Sequence, residues 1–567
     1  MNKNKLLLTL LCLVLCSAWN VATAGPARRG LITKTQPDGT TIQVRLVGDE
    51  FGHAYALPDG TLVKQDEKGF YRPFTMIEKM DFMEAREENY AAMRRSDNTK
   101  SQGVLTGDDD YPYRMNNFPA HGNVRGIVLL VEFKNVSFCT DSATTHSLLS
   151  ARYNAENYVE PFEYNFYSKA YQENLSIAGT ITGSARDYFR DQSLGKFKPT
   201  FDVIGPITLD NDRVYYGGND RGGSDTNARG MVKEACQKAY AMGLTDFKDY
   251  DNDGDGYVDY VYVVYAGNDE AQFGGEDCIW AHSWNLSTPL NLGGMKISKY
   301  ACSGELLIDS RDCTAGIGTF LHEFSHVIGL PDFYNTQIDN PAEDDFCMDY
   351  WSIMDYGYYT VEGYCPIGYT SFERYSMGWI PAKELNEADS ISLLPTDEDP
   401  MMYRAFVNDK DTTSFFIFEN IQKTGWNSYS PNYGLLITAV NYSPSKWRAN
   451  TLNGDKKHHR YHVVPANNEY SYQHENEQLF GKSNFAFGPE TTPASITQFG
   501  DTLNKPLTHI TRTKGGPCTF DFMGGRSKIE HTALDDDHSS NAEEVYRIND
   551  KIAIMRRDGK TYKVLIQ

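Results

Sequence analysis

Residues 314–332 contain the side chains from which a hydrolytic metal site could be built. His322 and His326 lie four positions apart, and Glu323 directly follows the first histidine, which makes an HExxH motif. Two neutral imidazoles one helical turn apart suit two adjacent corners of a zinc tetrahedron. A glutamate between them is placed to activate water as a general base. The motif therefore predicts that His322 and His326 bind zinc and that Glu323 is catalytic.

The same segment predicts the helix that presents these side chains. At about 100° per residue, its apolar residues gather on one stripe, and the two histidines point to the opposite side. The stripe consists of Ile317, Phe320, Leu321, Phe324, Val327 and Ile328. A helix buried through this stripe would turn its imidazoles towards a cleft. The alternative is a surface helix with two solvated histidines and an unrelated glutamate.

A third zinc ligand is predicted just after this helix. Gly329 can adopt the positive φ that ends a helix sharply, and Asp332 follows His326 by six residues. A carboxylate at this position would leave one position open for water, although a short Asp side chain requires a close approach of the loop. Asp332 is favoured, but it could also be only a turn residue. Four other carboxylates are rival ligands: Glu343, Asp344, Asp345 and Glu373.

An acidic loop at residues 251–259 predicts a second metal site. Its carboxylates alternate along a turn, Gly256 permits a sharp bend, and Tyr257 can offer its main-chain carbonyl. Position twelve of the loop is Tyr262 rather than a bidentate Glu, which argues against a switching EF-hand. We therefore predict a structural calcium ion, with an acidic turn that binds no ion as the alternative. The predicted ligands are Asp251, Asp253, Asp255, Tyr257 and Asp259.

Composition shifts divide the chain into five regions. Residues 1–24 have a charged start, an apolar run and the ending Ala22-Thr23-Ala24, which is the pattern of a secretory signal peptide. Residues 25–118 combine short strands, a charged helix and a polar linker, and residues 119–385 mix strands and helices as one α/β domain does. Residues 386–525 indicate a β-sandwich-like module, and residues 526–567 a linker and a terminal hairpin. The predicted fold class is α+β multidomain.

Charge and cysteine content restrict the partners and the compartment. The 76 acidic and 54 basic residues give a net charge of −22, which would repel a phosphate backbone and excludes nucleic acid as a partner. After the signal peptide, no stretch is long and apolar enough to span a bilayer, so a secreted chain without a transmembrane segment is expected. Export permits disulfides, and Cys302/Cys313 and Cys347/Cys365 are plausible local pairs.

Two motifs resemble those of a known family of secreted bacterial enzymes. HEFSHVIGLPD at 322–332, followed by SIMDY at 352–356, is similar to the metzincin clan of metallopeptidases. Within that clan, GLPDFY at 329–334 resembles the immune inhibitor A family, for which Asp as the third ligand is usual. Segments 251–259, 279–282 and 434–437 are further matches. The resemblance extends over about residues 120–525.

The resemblance implies a zinc endopeptidase with a metzincin-like α/β catalytic domain, whose active-site helix carries two of the ligands His322, His326 and Asp332. It implies that Glu323 passes the proton of water to the leaving amine. Met354 would form the turn beneath the metal, and Tyr356 would stabilise the oxyanion, unless it is only a packed aromatic. The substrates would be proteins or peptides, and the enzyme would be secreted to the medium or to the surface of a bacterium.

Residues 25–118 would then be a small β-rich propeptide, and the enzyme would be made as a zymogen. This region contains no cysteine, so latency cannot use a thiolate on the zinc and would require bulk or an Asp or Glu ligand. An ordinary accessory domain is the alternative. Processing could occur at exposed-looking arginines, namely Arg28, Arg29, Arg94, Arg95 and Arg114.

Two other functions remain open from the sequence. One is a zinc aminopeptidase in which a distal Glu is the third ligand. The other is a catalytically inactive surface protein whose β module binds glycans or host proteins, although an intact Glu323 argues against it. Contact with a glycan or a cell surface through the C-terminal modules is a possible further interaction.

Overall fold

The fold is described by a computed structural model that covers residues 25–96, 120–161, 180–306, 314–337, 345–408, 410–525, 542–549, 552–557 and 560–565. The predicted signal peptide at 1–24 and most of the predicted linker before residue 118 lie outside these ranges. Within them the chain combines helices with several β-sheets, as the α+β class requires. No helix in the described part is long and apolar enough to cross a membrane.

The N-terminal region is an antiparallel sheet of five strands followed by one helix, as the sequence predicts. The elements are β1 (Ile32–Thr35), β2 (Thr41–Asp49), β3 (Gly52–Ala56), β4 (Leu62–Gln65), β5 (Tyr71–Pro73) and α1 (Met76–Ser96). Val44 and Tyr55 of this sheet share a buried cluster with Ala271 and Trp280 from the middle of the chain. The sheet is therefore docked on the following region and is not a separate body.

The middle region is built on a mainly parallel sheet in the order β10-β13-β11-β6-β9, with β12 antiparallel to β13. Its strands are β6 (Arg125–Glu132), β7 (Val159–Pro161), β8 (Thr180–Thr182), β9 (Thr200–Thr208), β10 (Tyr257–Val258), β11 (Val261–Asn268), β12 (His282–Leu292) and β13 (Met295–Leu306). Its helices are α2 (Ser142–Asn154), α3 (Ala185–Gln192), α4 (Arg213–Gly217), α5 (Ala228–Ala241), α6 (Gly318–Val327) and α7 (Ser371–Ser376).

Burial on both faces explains the continuous apolar runs of the central strands. In β6, Val128 and Leu130 belong to the core that also contains α6. Ile127 and Leu129 belong to the core on the opposite face, which contains α5. When both faces of a parallel strand are buried, neither face carries polar residues. Apolar and polar residues therefore do not alternate along the strand, and its sequence is uniformly apolar.

The predicted active-site helix is α6, and its apolar stripe is buried as expected. Phe320 stacks on Tyr153, with ring centroids 4.4 Å apart, and contacts Phe201 edge-on at 4.9 Å. Gly329 has φ +111°, which ends the helix and turns the chain towards Asp332. At the other end, a Cβ on Gly318 would lie 2.0 Å from the carbonyl oxygen of Tyr358. The lack of a side chain at Gly318 therefore lets the segment after residue 356 approach α6.

The C-terminal strands form a five-stranded sheet in the order β14-β16-β17-β18-β19 and a three-stranded sheet in the order β15-β21-β20. The elements are β14 (Ala382–Glu384), β15 (Asp389–Leu393), β16 (Met402–Asn408), β17 (Asp411–Ile421), β18 (Gly434–Asn441), α8 (Pro444–Arg448), β19 (Tyr461–Val463), β20 (Leu507–Arg512) and β21 (Cys518–Phe522). A separate antiparallel sheet follows, with β22 (Ala542–Asn549), β23 (Ile552–Arg557) and β24 (Lys560–Leu565).

The five-stranded sheet packs on both of its faces. Phe418 of β17 contacts Phe520 and Phe522 of β21, so the two sheets form a sandwich. Phe415, on the other face of β17, contacts Phe372 of α7 and joins the core that contains α6. β14 already pairs with β16, so this sheet begins at Ala382, shortly before the predicted boundary at residue 385. The other region boundaries stay predictions.

Within the described part of the chain, the cysteines of the predicted disulfide pairs are not bonded. Cys302, Cys347 and Cys365 are free thiols, and Cys313, the predicted partner of Cys302, lies outside the described residues. Cys347 instead lies beside Asp345 and His459, with ligand atoms of the three residues within 4.8 Å of one another. Sequence spacing does not determine which cysteines meet, because the intervening chain decides where each side chain points.

Candidate metal centre and active site

Three predicted ligands converge at the end of α6. The Nε2 atoms of His322 and His326 are 3.2 Å apart, and each lies 3.3 Å from Oδ1 of Asp332. Bonds of about 2.0–2.1 Å to a tetrahedral zinc ion separate neighbouring ligand atoms by about 3.3–3.4 Å. The three ligand atoms therefore form a triangle of the size that zinc requires.

Hydrogen bonds behind the histidines set which ring nitrogen faces the centre. Nδ1 of His322 donates to the carbonyl of Ile353 at 2.7 Å, and Nδ1 of His326 donates to the carbonyl of Leu330 at 2.7 Å. These bonds place the protons on Nδ1 and leave both Nε2 lone pairs for a metal. Burial lowers the pKa of His322, which favours the neutral imidazole that a metal needs.

Asp332 is oriented by a residue of the C-terminal region that the sequence did not indicate. Oδ2 of Asp332 accepts a 2.5 Å hydrogen bond from Nδ2 of Asn450, and the Asp332 N–H donates to Oδ1 of Asn450 at 2.7 Å. The other carboxylate oxygen, Oδ1, is buried with no hydrogen-bond partner and faces the two imidazoles. Such an orphaned oxygen beside two unprotonated nitrogens fits a bound cation. The residues present therefore suit zinc.

The rival carboxylates that the structure describes lie elsewhere. Asp345 accepts from Asn335 at 2.7 Å and pairs with His459 at 3.0 Å. Glu373 caps the start of α7 and accepts a 2.6 Å hydrogen bond from Ser352 Oγ. Glu343 and Asp344 lie outside the described residues. Neither Asp345 nor Glu373 belongs to the His322–His326–Asp332 group.

Glu323 is buried next to this group with its carboxylate uncommitted. Neither carboxylate oxygen has a hydrogen-bond partner, and the residue has no exposed surface. Burial raises the pKa of Glu323 well above its usual value, and the negative charge of Asp332 adds to the effect. A carboxylate that holds a proton more readily than usual is suited to accept one from water.

The segment after residue 351 holds the site in place through main-chain carbonyls. The carbonyl of Ile353 accepts a hydrogen bond from His322, and the carbonyl of Met354 accepts one from the N–H of Phe333 at 2.8 Å. This turn is therefore hydrogen-bonded both to α6 and to the loop that carries Asp332. Met354 itself is fully buried in the core shared with α6.

Three tyrosine hydroxyls of the following 3₁₀ segment, Tyr356–Gly363, face the N-terminal region, and the third is that of Tyr359. Tyr356 donates to the carbonyl of Ala27 at 3.3 Å, and Tyr358 donates to the carbonyl of Pro26 at 3.3 Å. The ring of Tyr358 lies 4.5 Å from the ring of His322, between centroids. The sequence indicated Tyr356 and missed Tyr358, because only the close approach at Gly318 brings Tyr358 next to His322, a candidate ligand.

The first described residues of the chain lie across the site. The carbonyl of Gly25 accepts from Trp280 Nε1 at 3.2 Å, and that of Pro26 accepts from Tyr359 at 2.9 Å. The N–H of Ala27 donates to the carbonyl of Gly48 in the N-terminal sheet at 3.0 Å. The N–H of Gly25 approaches Glu323 and by itself lowers the pKa of that carboxyl. Burial has the larger effect, so the pKa is raised overall. The N-terminal region thus covers Glu323.

Neither of the first two arginines is exposed as the sequence suggested. Arg28 pairs with Glu362, and Arg29 pairs with Asp349 at 2.8 Å. Their side chains are only 15% and 20% exposed, because acidic partners on the middle region draw them inwards. Arg114 lies outside the described residues, as do the side chains of Arg94 and Arg95.

Glu50 is the buried acidic residue of the N-terminal region whose charge interacts with the site. Burial raises its pKa well above the usual value, and the charges of Asp49, Asp332 and Glu323 contribute. Its oxygens have no hydrogen-bond partner. Among the described residues, however, it does not join the group of converging zinc ligands. Of the two predicted forms of latency, covering the site therefore fits the geometry better than an acidic ligand does.

The predicted calcium loop brings together three of its carboxylates. Oxygens of Asp251, Asp253 and Asp259 lie within 4.8 Å of one another. Asp255 turns to the N–H of Tyr257 at 2.7 Å and is not part of this group. Burial raises the pKa of Asp259 to about 6, with the neighbouring charges of Asp253 and Asp251 contributing. Like charges held together in this way are relieved by a bound cation.

The fold is mixed α/β, and the site combines a buried His–His–Asp group with a neighbouring glutamate. These features are typical of a metallopeptidase. Residues 119–380 match the family model described as immune inhibitor A peptidase M6, catalytic domain. Residues 119–380 therefore match the catalytic domain of the immune inhibitor A family of metallopeptidases, the family that the motifs resemble.

Curated relatives agree with this assignment. The chain is 28% identical over 294 residues to the pre-pro-metalloprotease PrtV of Vibrio cholerae, an alignment that covers 46% of this chain and 31% of that protein. It is 26% identical over 265 residues to immune inhibitor A of Bacillus thuringiensis subsp. alesti, which covers 42% of this chain and 37% of that protein. The chain thus spans about a third of the length of the relatives that it matches.

Proposed function

We propose that this chain is a zinc-dependent endopeptidase that hydrolyses peptide bonds in proteins or peptides. The observation that carries the proposal is the triangle of His322 Nε2, His326 Nε2 and Asp332 Oδ1, with sides of 3.2–3.3 Å. Zinc would supply a Lewis acid that polarises the scissile carbonyl and makes water acidic enough to attack at neutral pH.

The residues of the chain supply the proton transfers and the charge stabilisation. Glu323, whose carboxylate is buried and uncommitted, takes a proton from water and delivers it to the leaving amine. A tyrosine hydroxyl stabilises the negative charge on the substrate oxygen. The family resemblance assigns this role to Tyr356, and Tyr358 is the rival hydroxyl because its ring adjoins His322.

A structural calcium ion is part of the proposal. Asp251, Asp253 and Asp259 supply the converging carboxylates, and Asp255 and the main-chain carbonyl of Tyr257 would complete the loop. The loop leads directly into β10 and β11 of the central sheet. A bound ion would therefore brace the edge of the fold and would not take part in the chemistry.

We propose further that the enzyme is exported as a zymogen whose N-terminal region covers the active site. Support comes from the carbonyls of Gly25, Pro26 and Ala27, which accept hydrogen bonds from Trp280 and from tyrosine hydroxyls of the 3₁₀ segment after Met354. The relative from Vibrio cholerae is itself named a pre-pro-metalloprotease. Secretion by a bacterium, to the medium or to its surface, follows from the predicted signal peptide.

The test of the catalytic proposal compares the wild type with Glu323→Gln and Glu323→Ala. Each protein is first activated by limited proteolysis with an added protease, and is then assayed for bound zinc and for cleavage within peptides blocked at both ends. We expect zinc to remain bound and cleavage to fall by at least about a hundredfold in both variants. Exposed Glu384→Gln serves as the matched control and should behave as the wild type. Equal cleavage by all four proteins would refute the role of Glu323.

The zymogen proposal is tested on the same protein before and after removal of its N-terminal region by limited proteolysis, with the new N-terminus read by sequencing. Activity should rise when residues 25–96 are lost. Full activity of the intact chain would contradict the proposal.

The alternatives predict different outcomes in the same assays. A zinc aminopeptidase would cleave only peptides with a free N-terminus, and a purely binding protein would cleave none. Glycan or cell-surface contact through the C-terminal strands stays a prediction of the sequence, for which the described contacts give no support.

A further inference from the structure

Arg29 of the N-terminal region fills a pocket that is built for a guanidinium group. Its Nη1 donates to Oδ1 of Asp349 at 2.8 Å. Its guanidinium carbon lies 3.5 Å from the ring centroid of Tyr356 and 4.3 Å from that of Tyr472. A planar cation between two aromatic rings, with a carboxylate at its edge, is held by cation–π attraction and a charge-assisted hydrogen bond together.

The pocket belongs to the body of the enzyme and not to the N-terminal region. Asp349 begins the 3₁₀ turn Asp349–Trp351, which precedes the turn of Met354. Tyr472 begins the 3₁₀ segment Tyr472–Glu477, which lies between β19 and β20 of the C-terminal region. Tyr356 and Tyr472 also line a cavity of about 480 Å³ at the boundary with the N-terminal region, whose residues, Arg29 included, form most of its wall. Removal of residues 25–96 would therefore leave the pocket intact and open.

The chain that leads to Arg29 is held through its main chain. The carbonyls of Gly25, Pro26 and Ala27 accept from Trp280 and from tyrosine hydroxyls of the site. The N–H of Arg28 donates to the carbonyl of Ala271 at 2.9 Å. These main-chain contacts do not depend on the side chains of residues 25–28, so another peptide could make them. The pocket around Arg29 is therefore one that the side chain of another bound peptide could also reach.

The electrostatics of the pocket favour a cation. Burial of Arg29 by itself would lower its pKa, yet the pKa is raised well above the usual value because Asp349 and Tyr356 outweigh the burial. Glu475 lies beside Asp349, and burial together with that charge raises the pKa of Glu475 to about 8. The pocket thus places two acidic side chains beside the guanidinium group, and both favour a cation there.

We infer that Asp349, Tyr356 and Tyr472 form a substrate-binding pocket for an arginine side chain, so that the activated enzyme prefers peptides with arginine at one fixed position near the cleaved bond. This inference rests on the proposed function. Gly25 lies against Glu323 and Arg29 follows it by four residues, a span of at most about 14 Å in an extended chain. The preferred arginine should therefore lie within about five residues of the cleaved bond.

The first experiment profiles the activated enzyme on a library of peptides from a digested proteome, with the cleavage sites read by mass spectrometry. Arginine should be enriched at one position within that distance. Cleavage with no enrichment of arginine would overturn the inference and leave the proposed function standing. The absence of all cleavage would overturn both.

The second experiment assigns the preference to the pocket. A peptide with the preferred arginine is compared with one that carries neutral, nearly isosteric citrulline at the same position. In the wild type we expect kcat/KM to be roughly tenfold higher for arginine. In Asp349→Asn this ratio should fall to about two or less. An unchanged ratio in Asp349→Asn would refute the assignment.

Tyr472 provides a test that does not depend on the folding of the Asp349 variant, because it lies at the edge of the pocket and is only half-buried. Tyr472→Leu removes the aromatic ring and should lower the arginine-to-citrulline ratio. Tyr472→Phe keeps the ring and is the matched control, with the ratio of the wild type. Equal ratios in both Tyr472 variants would contradict a cation–π role.

Discussion

Asn450 and Asp332 are joined by two hydrogen bonds, from Asn450 Nδ2 to Asp332 Oδ2 at 2.5 Å and from the Asp332 N–H to Asn450 Oδ1 at 2.7 Å. Asn450 follows α8 of the C-terminal region, so this region positions the third candidate ligand of the metal. Because Asn450 has φ +49°, it occupies a backbone conformation that Asn, Asp and Gly tolerate best.

Loss of the Asn450 side chain should weaken zinc binding without straining the backbone. We expect Asn450→Gly to raise the dissociation constant for zinc roughly 10- to 100-fold, because the carboxylate of Asp332 loses its orienting donor. Asn450→Asp should bind zinc more weakly still, since it removes the amide donor and adds a like charge. Competition with a chromogenic chelator measures both constants. Asn468→Gly, at an exposed residue with φ +58°, is the matched control and should bind as the wild type does.

The two tyrosine hydroxyls beside the site should differ in their contribution to catalysis. We expect Tyr358→Phe to lower kcat by about a hundredfold with little change in KM, because its ring adjoins His322 and its hydroxyl already binds a main-chain carbonyl. Tyr356→Phe should cost less. Steady-state kinetics on one peptide measures both, with the zinc content checked in each protein. The reverse order of losses would return the oxyanion role to Tyr356.

Calcium should stabilise the fold through the loop at residues 251–259. With zinc kept saturating, calcium at a hundred times its dissociation constant should raise the free energy of unfolding by about 3 kcal/mol. Asp253→Asn, which removes one of the three converging carboxylates, should abolish most of this gain. Asp246→Asn changes an exposed carboxylate just before the loop and should retain the gain. A gain of equal size in Asp253→Asn would place calcium elsewhere.

Glu373 should make the stability depend on pH. Burial raises the pKa of Glu373 to about 7, above its ordinary value of 4.5. Between these two values the unfolded chain has lost the proton that the folded chain keeps, so stability falls as the pH rises from about 4.5 to about 7, by about 3 kcal/mol in all. Above pH 7 this contribution no longer changes.

Urea unfolding at several pH values tests this dependence. Glu373→Gln resembles the protonated form and can still contact Ser352 and the N–H of Thr370. As the pH rises from 4.5 to 7, the wild type should therefore lose unfolding free energy relative to Glu373→Gln. Outside this range the difference between the two proteins should be constant. Exposed Glu384→Gln is the control, and its difference from the wild type should be constant. A constant difference for Glu373→Gln as well would contradict the raised pKa.

Most of the elements around the candidate site could be predicted from local patterns. The apolar stripe of α6, the helix-ending Gly329 and the two-sided strands β6 and β11 follow from periodicity and from the preferences of single residues. The capping of α3 by Ser184 and Asp187 is equally local. These features are determined within about one helical turn or one strand, so the sequence alone is sufficient to indicate them.

Only the tertiary structure decided which distant residues meet at the site. Asn450 reaches Asp332 across 118 positions, and Pro26 reaches Tyr358 across 332. Cys347 faces His459 rather than another thiol. Such contacts depend on how whole sheets and helices pack, because packing brings together side chains that no local spacing relates. The sequence thus indicated the candidate metal ligands and determined their helix, whereas the folded chain determined what orients these residues, covers them and surrounds Arg29.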